Sequence, residues 1–339
     1  MRTGLAAVPR AVPATARFGL IGCGSVGSLL DEDAPSAFAL THASALGRST
    51  RARLVAVCDT DADRAVACAR ARGVERWYVD AAEMLAAETL DAVIVATPPA
   101  GRRAVVDAAL RAGIRLLWLE KPAAATLPEA ERLGRAAADA GVIVAVNHLR
   151  RWATLADLLR RSVAGIGPLR SVTGTYGKGL ANNGSHLLDL VTMVAGEPRA
   201  GRVVRVVDDG RAEDATVDAE LDLPVPGGRT VPLSLRGTDH RNFSVFELEF
   251  IGGAGRVRVS DLGRNLTVEV VEADPVFPGY RRLAPPAVHA GLLDGMFERA
   301  LDQLVDVLDG KDPRPLCGLD EAKTVLRVLG LLRPLDETR

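Results

Sequence analysis

The chain has 339 residues, 48% of them hydrophobic and 25% charged, which excludes a disordered protein and leaves room for two packed domains. A formal net charge of −1 removes any electrostatic case for nucleic acid or an anionic membrane as partner, and no apolar run approaches the ~18–20 residues that cross a bilayer. Cys23, Cys58, Cys68 and Cys317 show neither C-x-x-C nor metal-ligand spacing, so reduced, buried thiols, no bound metal and a cytoplasmic protein are expected.

Residues 1–16 hold two prolines and no continuous apolar stretch; they read as a flexible tail and not as a signal peptide. From residue 17, short apolar runs alternate with helical stretches. Strands are predicted over 18–21, 53–58, 91–96, 114–119 and 142–146, with helices after the first strand and over 61–73, 103–112 and 127–140. Apolar strands without internal alternation, each linked by a helix, form a parallel sheet covered on both faces. Beyond about residue 150 the pattern changes. A helix over 154–163 is followed by alternating strands over 171–176, 202–207, 215–223, 230–235, 243–251, 256–260 and 266–271, with turns at Gly227-Gly228 and Gly252-Gly253. Further helices are predicted over 185–194, 292–308 and 320–332. The fold class is therefore α/β: an N-terminal Rossmann dinucleotide-binding domain over 17–147, then an α+β domain over 148–339. The second domain has a large, mainly antiparallel sheet and is expected to carry substrate binding and oligomerisation.

The first strand runs into Gly22-Cys23-Gly24-Ser25-Val26-Gly27, a G-x-G-x-x-G turn opening a helix. Gly22 permits the tight turn, Gly24 lets a pyrophosphate approach the backbone, and Gly27 lets helix and strand pack closely, while the helix N-terminus offers N–H donors. The second strand ends in Asp59, where a carboxylate accepts hydrogen bonds from the adenosine ribose and repels a 2′-phosphate, favouring NAD over NADP. The competing reading is a cap on the following helix. Asp59 lies 32 residues beyond Gly27, against the usual 20 or so, and residues 28–41, with Pro35 among them, are the apparent cause.

Thr97-Pro98-Pro99 after the third of these strands, Glu120-Lys121-Pro122 after the fourth, and the later Gly184-Ser185-His186-Leu187-Leu188-Asp189 complete an ordered set of motifs. With them the chain resembles the glucose-fructose oxidoreductase / inositol dehydrogenase family, from about residue 17 to 200 and weakly beyond. The resemblance implies NAD held by residues 22–27, Asp59, Thr97, Pro98, Glu120 and Lys121. It also implies Lys121 as the group that polarises the substrate oxygen, a cis Lys121–Pro122 bond, and His186 as catalytic acid/base. On residue chemistry alone, a capping or core histidine is the better reading of His186; the competing reading of Lys121 is half of a surface ion pair. Only four of the 42 basic residues are lysines, which sets Lys121 and Lys178 apart from a general preference for arginine. In the family a histidine follows the glycine turn by three residues; His42 matches that segment but follows Gly27 by 15. Twelve residues are thus inserted, and without them Asp59 returns to the usual spacing.

Two departures matter. Asn182 stands where inositol dehydrogenases carry aspartate, which argues against inositol itself, and Arg102 stands where the Thr-Pro-Pro motif leads to histidine. Asn182 and Asn183 read as substrate contacts, and Tyr176 and Lys178, on the strand leading to them, are expected in the same region, Lys178 as a phosphate or carboxylate contact. Arg150-Arg151-Trp152 after the last parallel strand resembles the family's segment at the domain junction, where one arginine, Arg151 among them, can meet the substrate or cofactor or form a structural ion pair; Asp189 can orient the imidazole or end in solvent. The expected activity is NAD-dependent hydride transfer to or from a ring alcohol of a sugar, cyclitol or sugar conjugate, sugar nucleotides and aminoglycosides included. The alternatives are an NAD-using glycosidase and a ligand-sensing regulator. A homodimer or homotetramer through the second sheet is expected.

Overall fold

The computed structural model describes residues 15–31 and 36–332. The expected tail falls outside these residues except at its end, where Ala16 already opens a strand; part of the 28–41 insertion also lies outside them. The first half contains β1 (Ala16–Ile21), α1 (His42–Arg48), β2 (Ala52–Cys58), α2 (Ala62–Arg72), β3 (Arg76–Tyr78), α3 (Ala81–Ala87), β4 (Ala92–Val95), α4 (Arg102–Arg111), β5 (Leu116–Leu119), α5 (Leu127–Ala140) and β6 (Ile143–Val146). These strands form one sheet in the order 3-2-1-4-5-6, the doubly wound arrangement whose ligand crevice lies where the order reverses, at β1 and β4. The central strands β4 and β5 are buried at every position, as two-sided coverage by helices requires.

β3 and α3 are additions to the sequence reading. β3 has only three residues at the sheet edge, and Trp77 within it is 46% exposed, so no apolar run announces it. α3 did carry a signal, because Asp80 caps it by accepting from Ala82 N at 2.7 Å and Glu83 N at 3.0 Å.

The helix expected after the glycine turn does not run on. Residues 24–31 make a few turns, the chain leaves on its excursion, and helical bonding resumes at α1. His42 N then donates to Val26 O at 3.1 Å and Ala43 N to Gly27 O at 3.0 Å. Discounting the twelve inserted residues, both are the i to i−4 bonds of an uninterrupted helix. Asp31 gathers the two ends of the excursion: it accepts from Thr41 Oγ1, accepts from Leu40 N at 2.9 Å, and lies 3.6 Å from Arg72 Nη2. His42 is completely buried, edge-on to Trp118 with ring centres 4.4 Å apart.

The second half contains α6 (Thr154–Gly165), β7 (Leu169–Gly177), α7 (Ser185–Ala195), β8 (Ala200–Val207), β9 (Thr216–Val225), β10 (Arg229–Thr238), β11 (Phe246–Gly252), β12 (Gly255–Ser260), β13 (Asn265–Ala273), β14 (Arg281–Leu283), β15 (Ala287–His289), α8 (Met296–Leu308) and α9 (Leu319–Leu331). The sheet runs β14-β13-β12-β11-β7-β10-β9-β8, with β15 also paired to β13. Only β7 and β10 pair in parallel, so the sheet is mainly antiparallel. Alternate residues of β9 to β12 are buried in a core shared with Leu155, Leu159, Leu187, Leu190 and Val328 of α6, α7 and α9. The opposite face carries cross-strand ion pairs, including Arg236–Glu220 at 2.7 Å, Arg205–Asp218 at 2.8 Å and Arg256–Glu269 at 2.6 Å. Among the described residues no helix is long and apolar enough to cross a membrane.

The chain divides into two compact units that interleave along the sequence instead of meeting at one cut near residue 147. One comprises residues up to Leu119 with Ala136–Ala145 and Ala300–Pro315; the other comprises Glu120–Arg135, Val146–Arg299 and the chain from Leu316.

Candidate active site

In the first unit, β1, β2 and β4 end around a cavity of about 590 Å³ lined by Gly22, Gly24, Ser25, Asp59, Thr97 and Pro98. Gly22 has φ +99°, and a Cβ there would lie 2.8 Å from the Ala96 carbonyl carbon; one on Gly27 would lie 2.1 Å from Gly22 O. No side chain fits either position. A Cβ on Gly24 would meet nothing within 4 Å, so this backbone faces open space where a pyrophosphate can approach it. Asp59 is 8% exposed; Oδ2 accepts from Cys23 N at 2.9 Å, and Oδ1 from Asp61 N and Arg64 Nη2, both at 2.9 Å. Burial pushes its carboxyl up, but the bonds from Arg64, Asp61 and Cys23 outweigh it and hold the group below the usual carboxylate range. It does not cap α2; Asp61 does, accepting from Asp63 N at 3.0 Å and Arg64 N at 3.2 Å. A permanent carboxylate at the end of β2, beside glycine backbone with space before it, fits an adenosine ribose and pyrophosphate. Asp59→Ala should weaken NADH binding about 10- to 100-fold, the range of a hydrogen bond to a charged group. It should also narrow the preference for NADH over NADPH. A fluorescence titration giving an unchanged Kd for both would remove Asp59 from the cofactor site.

In the second unit, Lys121 is joined to Pro122 by a cis peptide bond. Its Nζ donates to Asn182 O at 2.7 Å and to Asn182 Oδ1 at 3.0 Å. Asn182 sits in a π-helical turn over Gly179–Gly184 that leads directly into α7. Lys178, at φ 69°, begins the turn. Asp214 supports it by accepting from Ala181 N at 2.7 Å and Asn182 N at 3.0 Å, and Thr216 Oγ1 accepts from Gly179 N at 2.8 Å. Glu120 accepts from Asn147 Nδ2.

α7 presents His186 in its first turn, half-buried. The ring of His148, almost wholly buried, stands edge-on to it with centres 5.8 Å apart. Neither Nδ1 has a hydrogen-bond partner. Burial, then the positive charges of Arg150 and Lys121, pull the His186 pKa well below its ordinary value. Burial, then Arg151 and Lys121, pull His148 down to about 3. Both imidazoles are therefore neutral at physiological pH, and His186 is set up to accept a proton. The sign of the stability effect follows. The unfolded chain takes up these protons near pH 6.5 and the folded chain resists them, so stability is complete above pH 6.5 and is lost as pH falls below it. His148→Leu should flatten the decline in unfolding free energy between pH 6.5 and 5 by up to about 1.4 kcal/mol per pH unit. Parallel curves from urea unfolding at each pH would contradict the buried, proton-excluding role.

Arg151 resolves to its structural reading. Its Nε and Nη2 both reach Asp189 Oδ1 at 2.9 Å, and Nε reaches Oδ2 at 3.0 Å. Asp189 is 1% exposed, so it neither orients His186 nor ends in solvent. Burial pushes its carboxyl up to about 6 against the pull of Arg151. Tyr176 is a correction: its side chain is fully buried in the sheet core, with its hydroxyl donating to Val217 O at 3.0 Å and accepting from Val217 N at 3.1 Å. It cannot meet a substrate. Strand alternation would have placed it correctly, since it lies in phase with buried Val172 and Gly174. Lys178 is exposed, and Asn183 Nδ2 donates to Gly177 O at 3.0 Å. Arg102 is buried, its Nε donating to Thr97 O at 3.1 Å. Sequence reasoning did not single out His148, Arg64 or Asp214; only His148 had a signal, as one of five histidines, directly after a buried strand.

Residues 16–148 match the family described as an oxidoreductase family with an NAD-binding Rossmann fold. D-apiose dehydrogenase of Paraburkholderia graminis is 38% identical over 133 residues, which is 39% of this chain and 32% of that protein. The NAD(+)-dependent scyllo-inositol 2-dehydrogenase of Bacillus subtilis is 35% identical over 115 residues, 34% of this chain and 33% of that one. The chain thus spans about a third of the length of these curated relatives. Likeness of fold reaches further. The WlbA dehydrogenase from Bordetella pertussis, solved with NADH and UDP-GlcNAcA, superposes with a TM-score of 0.71 at 21% identity, covering 95% of this chain and 100% of that one. An oxidoreductase from Agrobacterium radiobacter, solved with NAD+, L-tartaric acid and magnesium, gives 0.70 at 19%, covering 93% and 94%.

Proposed function

We propose that this chain, whose residues 16–148 match the oxidoreductase family with an NAD-binding Rossmann fold, is a dehydrogenase or reductase of a ring alcohol in a sugar, cyclitol or sugar conjugate. One observation carries the reading: within one unit, an ammonium at Lys121 held by Asn182 and a half-buried neutral imidazole at His186 accompany a second histidine, His148. The names of relatives, D-apiose dehydrogenase and scyllo-inositol 2-dehydrogenase, support the substrate class.

In the oxidative direction His186 takes the hydroxyl proton, and the Lys121 ammonium stabilises the alkoxide that forms. The glycine turn and Asp59 would hold NAD, which when bound would supply the hydride acceptor. In reduction the same two groups act in reverse, His186 returning the proton. Asn182 holds the Lys121 ammonium in place through both of its oxygens, so its first role is to position Lys121. The test is NADH absorbance across sugars, cyclitols, aminoglycosides and sugar nucleotides. Steady accumulation is expected with at least one class. Glycosidic cleavage without net NADH would instead indicate the hydrolytic chemistry of NAD-using glycosidases. A homodimer or homotetramer through the second sheet is part of the proposal, supported by Val270, Val288 and Tyr280, which are 53%, 63% and 71% exposed along β13 to β15. Light scattering on the eluting protein decides it, and a monomer at working concentration would overturn it.

A further inference from the structure

Three cationic side chains, Lys121, Arg150 and Arg151, belong to the same unit and the same cluster as His148 and His186. The carboxylates nearby are already engaged. Asp189 takes a two-oxygen grip from Arg151, Glu120 accepts from Asn147, and Asp214 is held by the amides of the π-helical turn. Asn182, where a carboxylate would have balanced the site, spends both oxygens on Lys121.

Arg150, unlike Arg151, has no carboxylate partner among the described residues. Its guanidinium carbon lies 4.2 Å over the centre of the Phe246 ring, and its Nε is shut off from water without a hydrogen-bond partner. Among the described residues it makes no ion pair with a carboxylate. Burial pushes its pKa down to about 10, so the charge persists at neutral pH but at a cost that a counter-ion would remove. Orphaned buried donors of this kind call for an explanation. A neutral polyol brings hydroxyls that need acceptors as well as donors, and this cluster offers mainly donors. A carboxylate brings acceptors only, and its two oxygens match the planar guanidinium fork.

We propose that the substrate is an acidic sugar, with a carboxylate on the ring or at its end, and that Arg150 is the residue that recognises it. The proposal rests on the oxidoreductase reading for its reaction and on Arg150 for its substrate class.

D-glucuronate, D-glucose, myo-inositol and D-glucose 6-phosphate, each with NAD, form the test panel, run on the wild type, Arg150→Met and Arg150→Lys. Methionine keeps the packing on Phe246 without the charge; lysine keeps the charge without the fork. Expected is a kcat/KM for glucuronate at least ~10-fold above that for glucose, the range of one charged hydrogen bond. Arg150→Met should reduce that ratio about 10- to 100-fold, mainly through KM, with Arg150→Lys in between. Equal or better use of the neutral sugar overturns the proposal, as does an Arg150→Met variant that lowers both rates alike. Preference for the 6-phosphate overturns the carboxylate assignment. If no compound of this panel reduces NAD, the oxidoreductase reading is decided by the wider panel, and calorimetry decides this one. Glucuronate binding to wild type that is lost in Arg150→Met supports it, and no binding to wild type refutes it.

Discussion

Lys121→Met and His186→Ala should each lower kcat by at least ~10²-fold, the usual contribution of a positioned acid–base group. Nζ of Lys121 is fixed by two bonds to one residue, so the ammonium occupies one place instead of sweeping a cone. Its charge also helps keep His186 and His148 deprotonated, so its loss acts twice: the alkoxide goes unstabilised, and the imidazole pKa rises. The acid limb of the pH–rate profile should therefore move to higher pH in Lys121→Met. Lys121→Arg should be nearly as poor, because a planar guanidinium cannot reproduce a compact ammonium held between two acceptors. The double variant should fall little below the worse single one, since the two residues act as a unit. Initial rates of NADH formation check all of this. Turnover within threefold of wild type in both single variants would sink the assignment of the pair.

Much of the first unit was legible because its signals are local. Apolar strands without alternation, followed by Gly22, Asp59, Pro98 and Pro122 respectively, mark β1, β2, β4 and β5 within a residue or two. The twelve-residue insertion was legible by spacing alone, and the bonds from His42 and Ala43 back to Val26 and Gly27 show how the helix tolerates it. What spacing could not give is the uninterrupted helix's replacement by two pieces joined only through hydrogen bonds. In the second unit the determining partners are distant in sequence. The π-helical turn that carries Asn182 depends on Asp214, 32 residues away, and Arg151 finds Asp189 at a separation of 38. No periodicity encodes such pairs. Tyr176 is the different case, where local information existed and its chemistry was allowed to outweigh its place in the strand.

Asp189→Ala should cost about 3–5 kcal/mol of stability, the penalty for removing one member of a buried ion pair. The side chains of Asp189 and Arg151 are only 1% and 11% exposed, so neither water nor salt can replace the lost partner. At pH 8, above the value to which burial raises Asp189, the carboxylate is ionised and the pair complete, so urea unfolding there measures the full loss. The cost lies mostly in the stranded guanidinium, not in an attractive bond. The double variant Asp189→Leu/Arg151→Met, which removes both charges and keeps apolar volume, should recover most of it. The same pair ties α7 to the turn that carries His148, Arg150 and Arg151, so Asp189→Ala should lower turnover as well, while the double variant restores stability without restoring full activity. That division separates a fastening that merely stabilises from one that sets the distance between His148 and His186. A single variant within 1 kcal/mol of wild type would mean that the guanidinium finds water or another acceptor, and that the spacing of the two histidines does not depend on this pair.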